Sequence, residues 1–194
     1  VDRHENNALI AMTLESFDEV PRFCLPGGFT VRTYRSGDER HWLDLQKKAD
    51  HYNEFDNSTF EMQFGEGIDE LSERQLYIEK NGQIIGTATA WSDNKYWEAQ
   101  SGRIRWVAVL PEYQGMGIGR ALISSVLERF ALLGETRSYL WTRTVRLPAI
   151  KLYLRFGFKP GIRSKEEEEI WARLIKDNNL QSNYSSRSFF EAGK

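Results

Sequence analysis

The sequence predicts one α/β (α+β) domain. Three observations carry that prediction. The 194 residues contain no internal repeat and no linker long enough to separate a second domain. Segments of strand character alternate with segments whose apolar residues recur at helical spacing. Near the middle, an apolar run ends at Pro111, glycines follow at 115, 117 and 119, and a helical pattern starts at once, so residues 107–122 read as strand, turn, helix. The domain is expected over 1–194, with a core at about 29–163, an N-terminal extension at 1–28, and a C-terminal helix and tail at 164–194.

In order along the chain, residues 1–7 are polar and expected to be loose, and 8–14 read as an edge strand ahead of the domain proper. After the Pro26-Gly27-Gly28 turn, residues 29–35 alternate as a strand. Ser36-Gly37-Asp38 opens a helix whose apolar positions are Trp42, Leu45 and Ala49. Residues 52–73 hold seven acids (Glu54, Asp56, Glu61, Glu66, Asp69, Glu70, Glu73) and no Lys or Arg. They form either the solvated face of a short amphipathic helix and loop or an acidic lip that attracts a cationic substrate.

Residues 75–80 and 83–91 flank Asn81-Gly82, the strongest short hairpin signal. A polar connection over 92–101 leads to a strand at 103–110, whose apolar run over 106–110 is unbroken and predicts a central strand buried on both faces. The next helix reaches about Leu133, stops at Gly134 and carries Ile118, Leu122, Val126 and Phe130 on one stripe. A strand at 138–142, a short helix at 149–156 begun by Pro148 and ended by Gly157, and a short strand at 158–162 follow. Ser164 and Glu167 have capping-box spacing for a last helix bearing Ile170, Trp171, Leu174 and Ile175, and a polar tail starts at Asp177.

Composition excludes several functions. With 40% hydrophobic and 28% charged residues and a formal charge of -2, the chain has no bulk electrostatic pull toward nucleic acid or an anionic membrane. Its single cysteine, Cys24, forms neither an intrachain disulfide nor a cysteine-based zinc site, and it reads as a small hydrophobe in a reducing, cytoplasmic setting. No run approaches the roughly 18 apolar residues of a membrane span. No metal, nucleic-acid or membrane partner is expected.

The glycine turn is suited to an anion, because glycine admits close approach and the first N–H groups of a helix carry partial positive charge. Of the phosphate motifs, a Walker A loop needs Lys then Ser or Thr after its last glycine, where this chain has Arg120-Ala121. A dinucleotide fingerprint begun at Gly115 needs its third glycine where Arg120 stands, and belongs in an early βαβ unit. Both are disfavoured.

Residues 109–119, Val-Leu-Pro-Glu-Tyr-Gln-Gly-Met-Gly-Ile-Gly, resemble in full the acyl-CoA pyrophosphate loop of the GNAT superfamily of N-acyltransferases, whose pattern is Gln or Arg, two residues, Gly, one residue, Gly or Ala. A second block, residues 148–158 (Pro-Ala-Ile-Lys-Leu-Tyr-Leu-Arg-Phe-Gly-Phe), is similar to the following motif of that superfamily, a helix ending in Tyr-x-x-x-Gly-Phe. Together with the order of elements, the resemblance spans about 29–162. It implies a mixed, mostly antiparallel sheet splayed at the acyl-CoA site, with helices on both faces and the C-terminal helix as an addition.

The resemblance also implies the donor and the residues that hold it. Acetyl-CoA is the expected acyl donor, with no metal. Backbone N–H groups of Gly115, Met116, Gly117, Gly119 and Arg120 are expected on the pyrophosphate, and Gln114, Ile118, Ala149 and Leu152 complete the coenzyme set. Val107 and Val109 are expected to pair with the pantetheine as a neighbouring strand would, with a donor there polarising the thioester carbonyl. One position departs from the pattern: Arg146 stands where the family often has a coenzyme-contacting Asn, which changes the geometry of that contact.

Tyr153 falls where the family has its general acid. A phenol of pKa near 10 protonating a thiolate whose acid is near about 8.5 runs uphill by roughly 2 kcal/mol. On its residues alone, Tyr153 also fits a core position of an amphipathic helix. The acceptor is expected to be a primary amine of a small molecule or peptide, with the acidic stretch favouring a cationic one, and Glu54, Asp56 and Glu98 are candidate bases by location. A catalytically silent acyl-CoA binding or regulatory module is the competing reading. Monomer and homodimer both fit.

Overall fold

The computed structural model describes residues 7–97 and 99–180. The start and end of the chain, with most of the expected loose N-terminus and polar tail, and Glu98 lie outside them. The described residues form seven strands and six α-helices in two compact units, 15–138 and 7–14 with 139–180. None of these helices is long and apolar enough to cross a membrane.

The first unit holds β2 (Thr30–Thr33), α1 (Asp38–Ala49), α2 (Thr59–Phe64), α3 (Leu71–Arg74), β3 (Gln75–Lys80), β4 (Gln83–Asp93), β5 (Ser101–Val109) and α4 (Ile118–Leu132). Its strands run in the order β2-β3-β4-β5, each pair antiparallel. The β3–β4 hairpin turns at Asn81 (φ 50) and Gly82 (φ 80), the double positive φ of a type I′ turn, whose twist matches that of the strands. Arg32 of β2 binds the buried Asp38 at the start of α1 through both terminal nitrogens, at 2.6 and 2.9 Å. Asp38 also accepts the Arg35 N–H at 2.7 Å. These bonds offset the desolvation of Asp38 and hold its carboxyl below the usual range.

Successive strand residues face opposite sides of a sheet. On one side Trp42 of α1 packs edge-on against Phe60, Phe64 and Trp106, with ring centroids 5.3 to 5.5 Å apart. On that side the Arg105 guanidinium lies over Phe64 and Trp91. On the other side Gly102 faces Phe130 of α4 so closely that a Cβ would stand 2.8 Å from the ring. The α4 stripe Ile118, Leu122, Val126 and Phe130 is buried as its spacing predicts.

The acidic stretch becomes α2, a 3-10 turn at Gly65–Glu70 and α3. All seven acids are exposed while Phe60, Phe64 and Leu71 are buried beneath them. The strand at 103–110 is corrected in one respect. It does not bury both faces: Ile104 and Ala108 are buried, but Trp106, Val107 and Val109 are only half-buried. An unbroken apolar run shows only that both faces are apolar and does not fix how completely each is covered.

The second unit holds β1 (Leu9–Leu14), β6 (Ser138–Arg143), α5 (Leu147–Arg155), β7 (Lys159–Gly161) and α6 (Lys165–Asn178). Here the expected edge strand is overturned. β1 lies between β6 and β7, pairs antiparallel with β7, and buries every residue from Ile10 to Leu14. Ser164 caps α6 by accepting the Glu167 N–H at 3.2 Å, and Glu167 in turn accepts the Arg163 N–H at 2.5 Å. The helix runs two residues into the expected tail and stops at Asn179, whose φ is 47.

Gly102→Ala drives a methyl into the Phe130 ring, and overpacking of this kind costs about 1–3 kcal/mol. Urea unfolding is expected to show a loss in that range, and Gly102→Ala with Phe130→Leu a smaller loss than the sum of the two single changes.

Candidate functional site

β5 is where the backbone becomes irregular. Thr87 pairs with Ala108 and Thr89 with Arg105, so Trp106 and Val107 together oppose Ala88. This is a β-bulge, and its first residue, Trp106, has φ 53. A bulge of this type normally takes glycine at that position, and a bulky residue there is an outlier held by its surroundings. Its side chain and its carbonyl are both held. The indole packs edge-on against Trp42 (5.4 Å) and Phe55 (5.9 Å). The carbonyl accepts a 3.1 Å hydrogen bond from the buried Gln46 amide of α1.

Leu110 donates its N–H to the Ile85 carbonyl at 2.9 Å, so by alternation Ala108 also faces β4 and the backbone groups of Val109 face away from it, while the N–H of Val107, inside the bulge, points opposite to the Trp106 carbonyl that Gln46 holds. The Val109 carbonyl accepts the Gln114 side-chain amide at 3.0 Å, which draws the following turn against the strand end. That turn is a 3-10 helix, Pro111–Tyr113.

Beyond it, Gly115 (φ 76) and Gly117 (φ 88) are left-handed, whereas Gly119 is helical. Gly117 is the N-cap of α4 and no side chain caps the helix. The first helical bond runs from the Ala121 N–H to the Gly117 carbonyl at 3.1 Å. The N–H groups of Ile118, Gly119 and Arg120 are therefore the orphan donors of the helix start, oriented along its dipole. Met116 is exposed and Ile118 buries its side chain, so Ile118 offers a ligand only its backbone. The Arg120 guanidinium folds back toward Gly117, 3.3 Å from where a Cβ would be, and lies over the Phe23 ring at 5.1 Å. The arrangement is an anion cradle of backbone amides with one guanidinium beside it.

In the second unit, α5 begins after Arg146, whose carbonyl accepts the Ala149 and Ile150 N–H groups at 3.0 and 3.1 Å. Ala149 and Leu152 are half-buried. Tyr153 is 6% exposed and packs against Phe158 with ring centroids 5.8 Å apart. Burial pushes its phenol up to about 12, partly opposed by the charge of Arg146. The left-handed Gly157 (φ 87) closes the helix.

These two sets of residues carry the sequence signature of one family. The sequence profile of the Acetyltransferase (GNAT) family matches residues 37–158, more than half of the chain. The chain belongs to the GNAT acetyltransferase family. A mycothiol acetyltransferase of Streptomyces bingchenggensis is 33% identical over 145 residues, covering 72% of this chain and 46% of that protein. The chain thus spans less than half the length of this relative. Among solved structures, a GCN5-related N-acetyltransferase from Sphaerobacter thermophilus superposes with a TM-score of 0.66 at 23% identity, over 80% of this chain and 49% of that one. The ribosomal-protein-S18-alanine N-acetyltransferase of Escherichia coli superposes with a TM-score of 0.57 at 22% identity, over 69% of this chain and 79% of that one. These GNAT structures share the fold.

The candidate bases differ in their surroundings. Asp56 is exposed, and its carboxylate accepts bonds from the Ser58 hydroxyl (2.8 Å), the Thr59 hydroxyl (3.0 Å) and the Ser58 N–H (2.9 Å). The Ser58 and Thr59 hydroxyls lead the causes that hold its carboxyl below the usual range, so it is a turn-forming group and a weakened base. Glu54 is exposed. Sequence reasoning missed the Trp106 bulge and its Gln46 anchor. The one available signal was a polar residue four positions after Trp42, on the apolar stripe of α1.

Gly115 has room for a methyl but a backbone that L side chains resist. Gly115→Ala is expected to lose about 1 kcal/mol in urea unfolding, and Gly115→Asn, which visits the left-handed region more readily, to lose less.

Proposed function

We propose that the chain is an acetyl-CoA-dependent N-acetyltransferase that passes an acetyl group to a primary amine by direct attack. The observation that carries this reading is the backbone cradle at 115–120 on the end of β5, in a chain of the GNAT family. Its left-handed glycines and uncapped helix start suit a pyrophosphate. Val109, with its N–H facing away from β4, and Val107, with its N–H opposite to the Gln46-bound Trp106 carbonyl, suit the pantetheine arm as a strand-like partner, and Gln114, Arg146, Ala149 and Leu152 are assigned to the coenzyme with them. The domain we assign to this activity is the whole of 1–194.

In this mechanism the neutral amine attacks the thioester carbon and the carbonyl oxygen takes up negative charge, which the donor at Val107 stabilises. Collapse breaks the carbon–sulfur bond. Tyr153 gives its phenolic proton to the departing thiolate, and the new amide nitrogen loses a proton to solvent or base. With the phenol at about 12 and a thiol at about 8.5, full transfer runs uphill by about 5 kcal/mol, more than a phenol near 10 would require. That value already includes the Arg146 charge, which favours the phenolate and without which burial would raise the phenol further. The seven exposed acids of 54–73 support a cationic amine. The similarity to a mycothiol acetyltransferase and to an S18-alanine N-acetyltransferase makes mycothiol-related amines and a protein alanine acceptors worth testing.

Acetyl-CoA is expected to raise the melting temperature and to release free thiol when a panel of amines, including polyamines, aminoglycosides, amino acids and peptide N-termini, is supplied. Stabilisation without thiol release for any amine would favour the silent binding module. No stabilisation by coenzyme A would overturn the reading.

Tyr153→Phe is expected to lower kcat by about 10²-fold or more, with coenzyme A affinity kept within about twofold. A phenol protonated up to about pH 12 remains an acid throughout the working range. The pH profile of kcat/KM for the amine should therefore rise with amine deprotonation and show no alkaline fall below about pH 10. An unchanged kcat in Tyr153→Phe removes this residue from the mechanism.

A further inference from the structure

Trp106 C=O and Val107 N–H belong to one peptide group, and no peptide bond among the described residues is cis. In a trans peptide the two point in opposite directions. Fixing one fixes the other.

The carbonyl is fixed from α1. Gln46 is 2% exposed and donates its side-chain amide to Trp106 O at 3.1 Å. A buried amide on the apolar side of a helix is costly to retain unless it is bonded, and here the acceptor is the carbonyl of the strained bulge residue (φ 53). The contacts of the Trp106 ring with Trp42 and Phe55 hold the side chain, whereas Gln46 acts directly on the peptide plane. Accepting a hydrogen bond at the oxygen also makes the N–H of the same amide a stronger donor.

We infer that Gln46 is a positioning residue for acyl transfer: through Trp106 O it sets the plane and the donor strength of the Trp106–Val107 peptide, whose N–H polarises the thioester carbonyl. The inference rests on the proposed assignment of Val107 to the acyl group. Gln46 itself touches no substrate. Its removal leaves coenzyme binding at the glycine cradle intact and weakens only the interaction that grows as the oxyanion forms.

The test compares wild type with Gln46→Met, which keeps length and volume without a donor, and with Gln46→Asn, whose amide is one methylene too short. Three quantities are read: kcat with a turned-over amine, the Kd of coenzyme A, and the infrared carbonyl stretch of bound [1-13C]acetyl-CoA. The expected result is a fall in kcat of about 10-fold or more, an unchanged Kd for coenzyme A within about twofold, and a carbonyl band moved from its wild-type position toward that of free acetyl-CoA. A purely structural Gln46 would lower the melting temperature and leave the band where it is; that outcome in whichever variant folds, or an unchanged kcat, overturns the inference. Wild-type protein that shows no shift of the acetyl-CoA band on binding overturns the assignment of Val107 itself, which is a separate failure.

Discussion

The unit at 15–138 is organised around the junction where β5 ends and α4 begins. Val109 turns its backbone groups away from β4, and the first turn of α4 starts with orphan N–H groups and no capping side chain. Orphan donors of this kind are a liability in a folded protein unless water or a ligand meets them. Left-handed Gly115 and Gly117 form, without strain, the turn that leads into those donors, and the strained left-handed Trp106 sits in the bulge before it. The aromatic packing of α1 and α2 on one side and the close approach of Phe130 to Gly102 on the other hold β5 firmly enough to sustain it.

In the mechanism we propose, the chemistry needs few side chains. A pyrophosphate held by a helix start requires no lysine, and a thioester oxygen that meets a peptide N–H requires no catalytic side chain at that point. What remains for side chains is proton transfer and acceptor choice. Tyr153 is suited to the first by burial, which keeps it protonated, and poorly suited by the same burial, which makes the proton harder to give. The charge of Arg146, at a position where the family often has an uncharged residue, lowers the phenol against the effect of burial, so in the proposed mechanism this departure from the common pattern would act on the acid as well as on the coenzyme.

Local chemistry was legible in the sequence, and non-local placement was not. Asn81-Gly82 specified its hairpin because a type I′ turn requires positive φ at both residues. Gly115 and Gly117 announced a left-handed turn, and Ser164 with Glu167 announced a helix start, for equally local reasons. The interior position of β1 depends on β6 and β7, more than a hundred residues away, and no property of residues 8–14 states it. The half-burial of Val107 and Val109 was hidden because an apolar run looks the same whichever neighbours it finds. Trp106 carries no mark of a left-handed backbone, since the conformation is imposed by Gln46 and by the rings of Trp42 and Phe55. The turn at 115–120 was readable as a motif and Val107 was expected from the resemblance, but the left-handed bulge at Trp106 and its bond to Gln46 were not.

The central claim, that backbone amides of β5 and of the α4 start hold the acyl donor, is tested most directly by following the backbone 15N–1H resonances while acetyl-CoA is added. The amides of Gly115, Gly117, Ile118, Gly119 and Arg120 are expected to shift most, with Val107 and Val109 moving along the same saturation curve. Saturation by acetyl-CoA with those resonances unmoved, and the largest shifts elsewhere, would contradict it.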